Sequence, residues 1–596
     1  MGITAEQYQA IIDTTNAASL AVAKQPHITI ADRIEHWAST QPDAVFLYFE
    51  EQVISYGDVN QRAEEYARVA IRKGLGKGDV VSLMMTNRPE FFYAWFGMLK
   101  LGVITAFINT QAKGAALAHA INTVDSKLLL IGDECLASFT ALNNSLDFIV
   151  ISESDLVDNQ FESLAVAQSA LSADIIYHKG LRAGLTGADL CCYIFTSGTT
   201  GLPKASLITH GKWINTGVRW CAMAGSNSDD IFYCVLPLFH GAGLMSMFST
   251  VIATGAPCVL RRKFSASKFW LDIANYQVTC FIYVGEICRY LTNMPAVEQE
   301  KDNQLKYVIG SGMGVDVWPK FVLRFGSHLR IFEGWGSTEA NCNMANVDNT
   351  PGACGRVPFV ERNILRHVKY DIETGTHLRG DNGFLIEAEP GEVGEMLGWV
   401  SMGNGTVISP FDGYSNTGAN EGKLLRNVFE QGDCWFRTGD LMRCDQQRYF
   451  YFVDRIGDTF RWKSENVSTT EVEQQLSLYS DAELISVYGV KVPQQEGRAG
   501  MAGITMKPTH EFDAKIFYAI VAANLPSYAQ PLFVRICMQM DITETFKLRK
   551  IDYQRQGYNP NKFSDQLFVL DKANQTFSAY NNALLNTLGI AEYESE

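Results

Sequence analysis

At 596 residues the chain is too long to bury itself around one core, so several domain-sized units are expected, and its composition is that of an ordinary globular protein. Its 50 basic and 65 acidic residues leave a net charge of −15, which offers no basic face for wrapping nucleic acid or lying on anionic lipid. The 13 cysteines include no C-x-x-C pair and fit buried thiols in a reduced, cytoplasmic setting better than a disulfide framework or a zinc site.

The first residues, MGITAEQYQAIIDTTNAASLAVAKQPH, carry Glu6 and Asp13 and lack a basic stretch followed by a long apolar run, so they do not read as a signal peptide. From about residue 45, short β-branched or aromatic runs alternate with amphipathic stretches. Ser55 to Asp58 has the spacing of a capping box, the helix it opens runs through Arg72 and stops at Gly74, and Asp79 to Met85 reads as a buried strand. A helix from Pro89 to Leu101 follows, then the strands VITAFIN, LLLIG and DFIVIS. This alternation predicts an α/β fold with largely parallel sheets.

Next comes YIFTSGTTGLPKAS, residues 193–206. Thr196, Ser197, Thr199 and Thr200 offer hydroxyls, Gly198 and Gly201 open the backbone amides, and Lys204 adds a positive charge, a set suited to phosphate. It is not a Walker A loop, because Leu202 and Pro203 separate Gly201 from the lysine and Ala205 follows it. Taken alone, the loop reads better as a small polar surface turn. Ala242 to Leu260 runs without a charge and is long enough for a membrane span. Its interior Ser246, Ser249, Thr250 and Thr254, and the break at Gly255 to Pro257, predict instead a buried helix followed by a strand. Residues 370–433, rich in glycine and acids, predict short antiparallel strands and hairpins. Beyond Asp454 a helix near 469–479, the strands ELISVYGVKV and AGMAGITMK, a helix near 513–524 and the strand LFVRICMQM predict a separate, smaller α+β domain.

Four further stretches carry chemistry suited to a nucleotide: GWGSTEAN (334–341), WFRTGDLM (435–442), YFVDRIGDTFRWKSENVSTTEVE (451–473) and TETFKLRK (543–550). With the opening loop, and in this order, they resemble the adenylate-forming superfamily of acyl-CoA synthetases, adenylation domains and luciferases. DTFRWKSENVSTTEVE and GACGRVPFVERN (352–363) are most similar to its fatty acid transport protein and very-long-chain acyl-CoA synthetase branch, and the likeness runs from about residue 30 to 565. The fold this implies is a large N-terminal domain, 1–455, of packed, largely parallel sheets with helices and a β-rich subdomain at about 350–455. A mobile α+β domain, 456–596, would follow it.

The resemblance also implies roles. The loop from Thr196 to Lys204 would hold the β- and γ-phosphates of ATP, Thr338 would donate to the α-phosphate, and Glu339 would bind Mg²⁺. Trp335, where the family usually has tyrosine, would stack on adenine, with Gly336 and Ser337 beside it and Gly312 in the stretch lining the adenine and acyl site. Asp440 would accept from both ribose hydroxyls and Arg455 would add a second ribose contact. His240 stands where the family gates the approach of the carboxylate, and Lys547 where a lysine bridges that carboxylate and the α-phosphate. Met by themselves, these would read as a core tryptophan, a solvated turn aspartate and a surface arginine, a structural histidine and a solvated lysine. Two positions depart from the pattern: Ser464 replaces a glycine beside the pantetheine path, and Glu544 replaces a glycine near Lys547.

An adenylation domain for amino acids needs an acid after the phenylalanine to pair with the substrate ammonium, whereas Phe239 is followed by His-Gly-Ala-Gly, so another carboxylate is implied. The activity implied is ATP-dependent conversion of a long or very long chain fatty acid to acyl-AMP, then to the CoA thioester, with ATP, Mg²⁺ and CoA required. The alternatives are a fatty acyl-AMP ligase, or a CoA ligase for a carnitine-like, bile or aromatic acid. A membrane fatty acid transport protein is the alternative of another class, against which stands the missing N-terminal transmembrane segment of animal members. A cytoplasmic location is expected, compatible with peripheral contact at the inner face of a membrane and with a homodimer.

Overall fold

The Asp58 N–H donates to Ser55 Oγ and the Ser55 N–H to Asp58 Oδ2, each at 3.0 Å, so the capping box opens the helix Tyr56–Arg72 as its spacing predicts. The structure is a computed structural model describing residues 3–142, 146–152, 162–172, 174–197, 202–301, 303–372, 374–463, 465–493, 495, 497–540, 550–588 and 590. The chain divides into two compact units, Met1–Arg362 with Val407–Leu424, and Asn363–Thr406 with Leu425–Glu596. The boundary expected at residue 455 falls inside the second of these.

The first unit contains two sheets. In one, the strands run in the order Phe148–Ile151, Leu128–Gly132, Val80–Met84, Ile104–Phe107, Leu190–Ser197 and Pro203–Thr209, all parallel except the last pair. The other has eight strands. Its parallel centre runs Arg330–Gly336, Tyr307–Ser311, Cys280–Val284, Phe232–Cys234, Cys258–Leu260 and Val45–Phe49, with antiparallel edges Asn343–Asn346 and Gln52–Ser55. Inner strands such as LLLIG are buried at every residue, as parallel sheets covered on both faces require.

One helix ties the sheets together. Pro89–Leu101, PEFFYAWFGMLKL, is apolar on nearly every side and almost wholly buried. Phe91 stacks on Phe107 of the first sheet, centroids 5.2 Å apart at 18°, while Phe92 meets Phe46 of the second edge-on at 5.2 Å. Each such ring contributes roughly 1.5–3 kcal/mol by burial.

The uncharged run near residue 250 forms a buried π-helix, Ala242–Phe248, then an α-helix, Ser249–Thr254, and then the strand Cys258–Leu260. Its hydroxyls are used internally: Thr250 Oγ1 donates to the Ser246 carbonyl at 2.7 Å and Thr254 Oγ1 to the Thr250 carbonyl at 2.9 Å. Among the described residues no helix is long and apolar enough to cross a membrane. All 13 cysteines are free thiols.

The second unit begins with an antiparallel sheet in the order Thr376–His377, Leu365–Asp371, Val393–Ser401, Cys434–Cys444 and Tyr449–Arg455, of which Thr376–His377 and Val393–Ser401 fall in the glycine-rich region 370–433 where short antiparallel strands are expected. A small hairpin, Phe460–Trp462 with Glu465–Val467, leads to a five-stranded sheet of Ala482–Lys491, Arg498–Met506, Phe533–Ile536, Gln566–Asp571 and Thr576–Ala579. The helices Thr469–Leu476 and Ala514–Asn524 pack with this sheet around Tyr488, Phe517, Phe533 and Tyr558.

Candidate active site

The described ends of the phosphate-type stretch lie on two paired strands. Leu190–Ser197 returns antiparallel as Pro203–Thr209, with Thr196 opposite Lys204 and Ser197 opposite Pro203. Proline fits at this first position of a strand because no ladder donor is lost inside the sheet. Gly198, Thr199, Thr200 and Gly201 lie outside the described residues. The returning arm is flanked by a second segment: the Leu207 N–H donates to the Gly413 carbonyl and the Ser415 N–H to the Ala205 carbonyl, each at 3.0 Å. Tyr414 is thereby fixed, its N–H donated to Asn420 Oδ1 at 2.7 Å. Its buried ring lies 5.5 Å from Lys204 Nζ, and its hydroxyl donates to Glu339 Oε1 at 2.8 Å.

Glu339 Oε2 is left buried without a hydrogen-bond partner on a side chain only 8% exposed. A buried carboxylate oxygen with no donor is costly, and a divalent cation would satisfy it. Among the described residues no three His, Cys, Asp or Glu side chains gather into a metal cage. An ion here would therefore take one protein carboxylate and complete its shell with phosphate oxygens and water, the coordination Mg²⁺ favours.

Other site residues follow the carboxyl ends of parallel strands, where open α/β sheets bind ligands. Gly312 comes directly after Tyr307–Ser311, Trp335 and Gly336 close the neighbouring strand Arg330–Gly336 before Ser337 to Glu339, and His240 follows Phe232–Cys234 in the same sheet. Trp335 is buried, 8% exposed. A Cβ on Gly241 would stand 3.0 Å from Thr338 Oγ1, so the His240–Gly241 turn lies against the residue expected to donate to the α-phosphate. Glu333, not anticipated from the sequence, braces this edge. Its carboxylate accepts from the Tyr283 hydroxyl, from the Gly312 N–H and from the Met313 N–H, the last at 3.3 Å. Burial pushes Glu333 up to about 7 despite those donors.

Lys212 and Asp412 were equally unanticipated. Lys212 Nζ is 3.7 Å from Asp412 Oδ2, and burial draws its ammonium below the usual lysine range against the pull of Asp412 and Glu339. The first unit thus brings Thr196, Lys204, Thr338, Glu339 and His240 onto one framework whose keystone is Tyr414.

The second unit carries the expected ribose residues. Asp440 pairs with Arg455 across adjacent strands, Oδ1 to Nε 3.3 Å, the carboxylate buried and the guanidinium half-exposed. Next to Arg455, the Asp454 carboxylate accepts from the Thr469 N–H at 2.7 Å, and burial raises it to about 6. Lys550 Nζ donates to Thr469 Oγ1 at 2.8 Å and pairs with Glu473 at 2.9 Å. Ser464, Glu544 and Lys547 lie outside the described residues.

The AMP-binding enzyme profile matches residues 34–397. The chain is 37% identical over 567 residues to long-chain fatty acid transport protein 6 of Mus musculus, with 94% of this chain and 90% of that protein covered. It is 38% identical over 550 residues to the medium/long-chain-fatty-acid–CoA ligase FadD6 of Mycobacterium tuberculosis, with 91% and 88% covered. Among solved structures it resembles the anthranilate CoA ligase AuaEII in complex with anthranoyl-AMP, at TM-score 0.73 and 19% identity over 90% of this chain and 98% of that one. ATP-bound MatB from Rhodopseudomonas palustris gives TM-score 0.72 and 19% identity, with 89% and 99% covered. At such identities the likeness speaks to the fold, which is that of adenylate-forming ligases.

Proposed function

This chain belongs to the AMP-binding enzyme family, and from that premise we propose that it activates a long or very long chain fatty acid with ATP and transfers the acyl group to CoA. The observation that carries the reading is the Lys204–Tyr414–Glu339 cluster, with a buried Glu339 carboxylate oxygen unsatisfied beside Thr338. In the first step a carboxylate oxygen of the fatty acid attacks the α-phosphorus of ATP, and the bond to the departing pyrophosphate breaks. Both reactants are anions, so positive charge and hydrogen-bond donors must be arranged before they meet. Lys204 and the hydroxyls of Thr196 and Ser197 suit the β- and γ-phosphates, Thr338 the α-phosphate, and His240 the approach of the acid. A Mg²⁺ ion on Glu339 would supply charge for the leaving group.

In the second step the CoA thiolate attacks the acyl carbon and AMP leaves. Trp335, with Gly312, Gly336 and Ser337, takes the adenine, and Asp440 with Arg455 the ribose. By family resemblance Lys547 bridges the acid and the α-phosphate, and residues 456–596, turning near Gly457, exchange that lysine for the side bearing Ser464 when CoA enters. The setting proposed is cytoplasmic, with peripheral contact at a membrane that holds the lipid substrate.

The test offers Mg²⁺, ATP, CoA and carboxylic acids from roughly two to twenty-four carbons, reading pyrophosphate, AMP and thioester together. Expected is pyrophosphate release strongest with the longer fatty acids and matched by thioester. Release without CoA consumption would mark an acyl-AMP ligase, and preference for a bile, aromatic or carnitine-like acid would move the substrate class. Lys547→Ala should abolish pyrophosphate release while sparing thioester formation from preformed acyl-AMP. No pyrophosphate with any acid, together with an inert Lys547→Ala, defeats the reading.

A further inference from the structure

The turn Thr438–Asp440 sits in a bulge. Leu441 pairs with Glu395 and Arg437 with Leu397, so three residues of one strand stand against Met396 alone. Such a bulge re-aims side chains and strips N–H groups of their ladder partners. Gly439, at φ +79°, takes a conformation that would strain any side chain. The lost hydrogen bonds are replaced one by one. Thr438 Oγ1 donates to the Met396 carbonyl at 2.7 Å, the Asp440 N–H to Thr438 Oγ1 at 3.1 Å, and the Ile456 N–H to the Gly439 carbonyl at 2.8 Å.

The Gly439 N–H donates to Glu395 Oε1 at 3.0 Å. Glu395 is fully buried in the neighbouring strand, and its other oxygen accepts from His377 Nε2 at 2.6 Å and Arg437 Nη2 at 3.1 Å. Burial works to raise this carboxyl, yet the His377 hydrogen bond and the Arg437 charge hold it below the usual range. An ionised carboxylate in a sheet interior is weak support for stability, since well-packed apolar residues often serve as well. Its geometry is informative in another way: every donor on Glu395 comes from the bulged strand or from the edge strand beyond, so the group fixes the height of the turn that carries Asp440.

We propose that Glu395 is a positioning residue for nucleotide recognition, clamping Gly439 so that Asp440 meets the ribose hydroxyls in one orientation. The inference rests on the reading of Asp440 as the ribose acceptor. Titration calorimetry of the full chain with AMP and with 2′,3′-dideoxy-AMP tests it without needing the acid substrate. The wild type is expected to prefer AMP. In Glu395→Gln the single amide oxygen cannot accept from the Gly439 N–H and from the His377–Arg437 pair at once, and AMP binding should weaken about tenfold while dideoxy-AMP moves less than about twofold. Adding Asp440→Asn should cost nothing further, because both changes remove the same contact.

Equal weakening of both nucleotides, unchanged AMP binding, or additive losses would overturn the proposal. Should Glu395→Gln fail to give a cooperative melt, His377→Ala takes its place in the same titration, with about a threefold loss of preference expected and an unchanged preference counting against the clamp. A wild-type chain that binds no nucleotide sinks the family reading and this inference together. A wild type that prefers AMP, with variants that keep the preference, sinks the inference alone.

Discussion

Glu339 has one oxygen on the Tyr414 hydroxyl and the other buried without a donor, so on the proposal that Glu339 holds Mg²⁺ a change at Tyr414 should be felt at that ion. Tyr414→Phe removes a charge-assisted hydrogen bond and should raise the Mg²⁺ concentration needed for half-maximal pyrophosphate release about tenfold, with the fold unaffected. Glu339→Gln, which removes the charge itself, should lower the rate about a hundredfold or more. Glu333 yields a stability prediction. Its folded pKa of about 7 lies above the ordinary 4.5, so its contribution is full below about 4.5 and is lost as pH rises through 7, about 3 kcal/mol over the window. Glu333→Gln cannot ionise, and its melting temperature relative to wild type should climb from pH 5 to pH 8. The family resemblance points to Glu339 because the residue lies within GWGSTEAN. It is silent on Tyr414, Lys212, Asp412 and Glu333, whose roles come from neighbours remote in the chain.

Elements with strong local signals are legible. The helices Tyr56–Arg72 and Pro89–Leu101 and the strands Val80–Met84 and Leu128–Gly132 form where capping, proline placement and apolar runs put them. The helix Ala5–Ala23 has a signal too, a capping box from Thr4 to Gln7, obscured because that stretch draws attention only as a candidate leader. LFVRICMQM shortens to the strand Phe533–Ile536, since a strand's length depends on its partners as well as its own propensity. Packing between elements yields a prediction at Gly97, where a Cβ would stand 2.7 Å from the Ala63 carbonyl oxygen and 2.8 Å from Tyr66 Cβ on the facing helix. Neither backbone can yield cheaply, so Gly97→Ala should destabilise the first unit by about 1–3 kcal/mol, read as a lower melting temperature.

Across the whole molecule, buried titratable groups set opposing limits on stability. His210 is buried with Nδ1 accepting from the Ile30 N–H at 3.3 Å, and burial pushes it down to about 4. A depressed folded pKa gives stability that is present above the ordinary 6.5 and lost as pH falls through 4, about 3 kcal/mol. His210→Asn keeps an acceptor without the titration and should flatten the acid limb of the melting-temperature profile. Between about pH 4.5 and 6.5 Glu333 and His210 work against each other, so only variants, not the wild-type curve, separate them.

The sequence by itself determined the α/β class and the buried nature of Ala242 to Leu260, because local propensity and patterning act over a few neighbours along the chain, and it showed the family through the resemblance of five ordered motifs. Only the tertiary structure decided that Asn363–Thr406 packs with the C-terminal residues in one unit, that Gly413–Ser415 runs beside the hairpin's returning arm, and that Glu395 holds the bulge bearing Asp440. These depend on which strand lies beside which, and hydrogen-bond partners separated by tens or hundreds of residues leave no periodicity in the chain to reveal them.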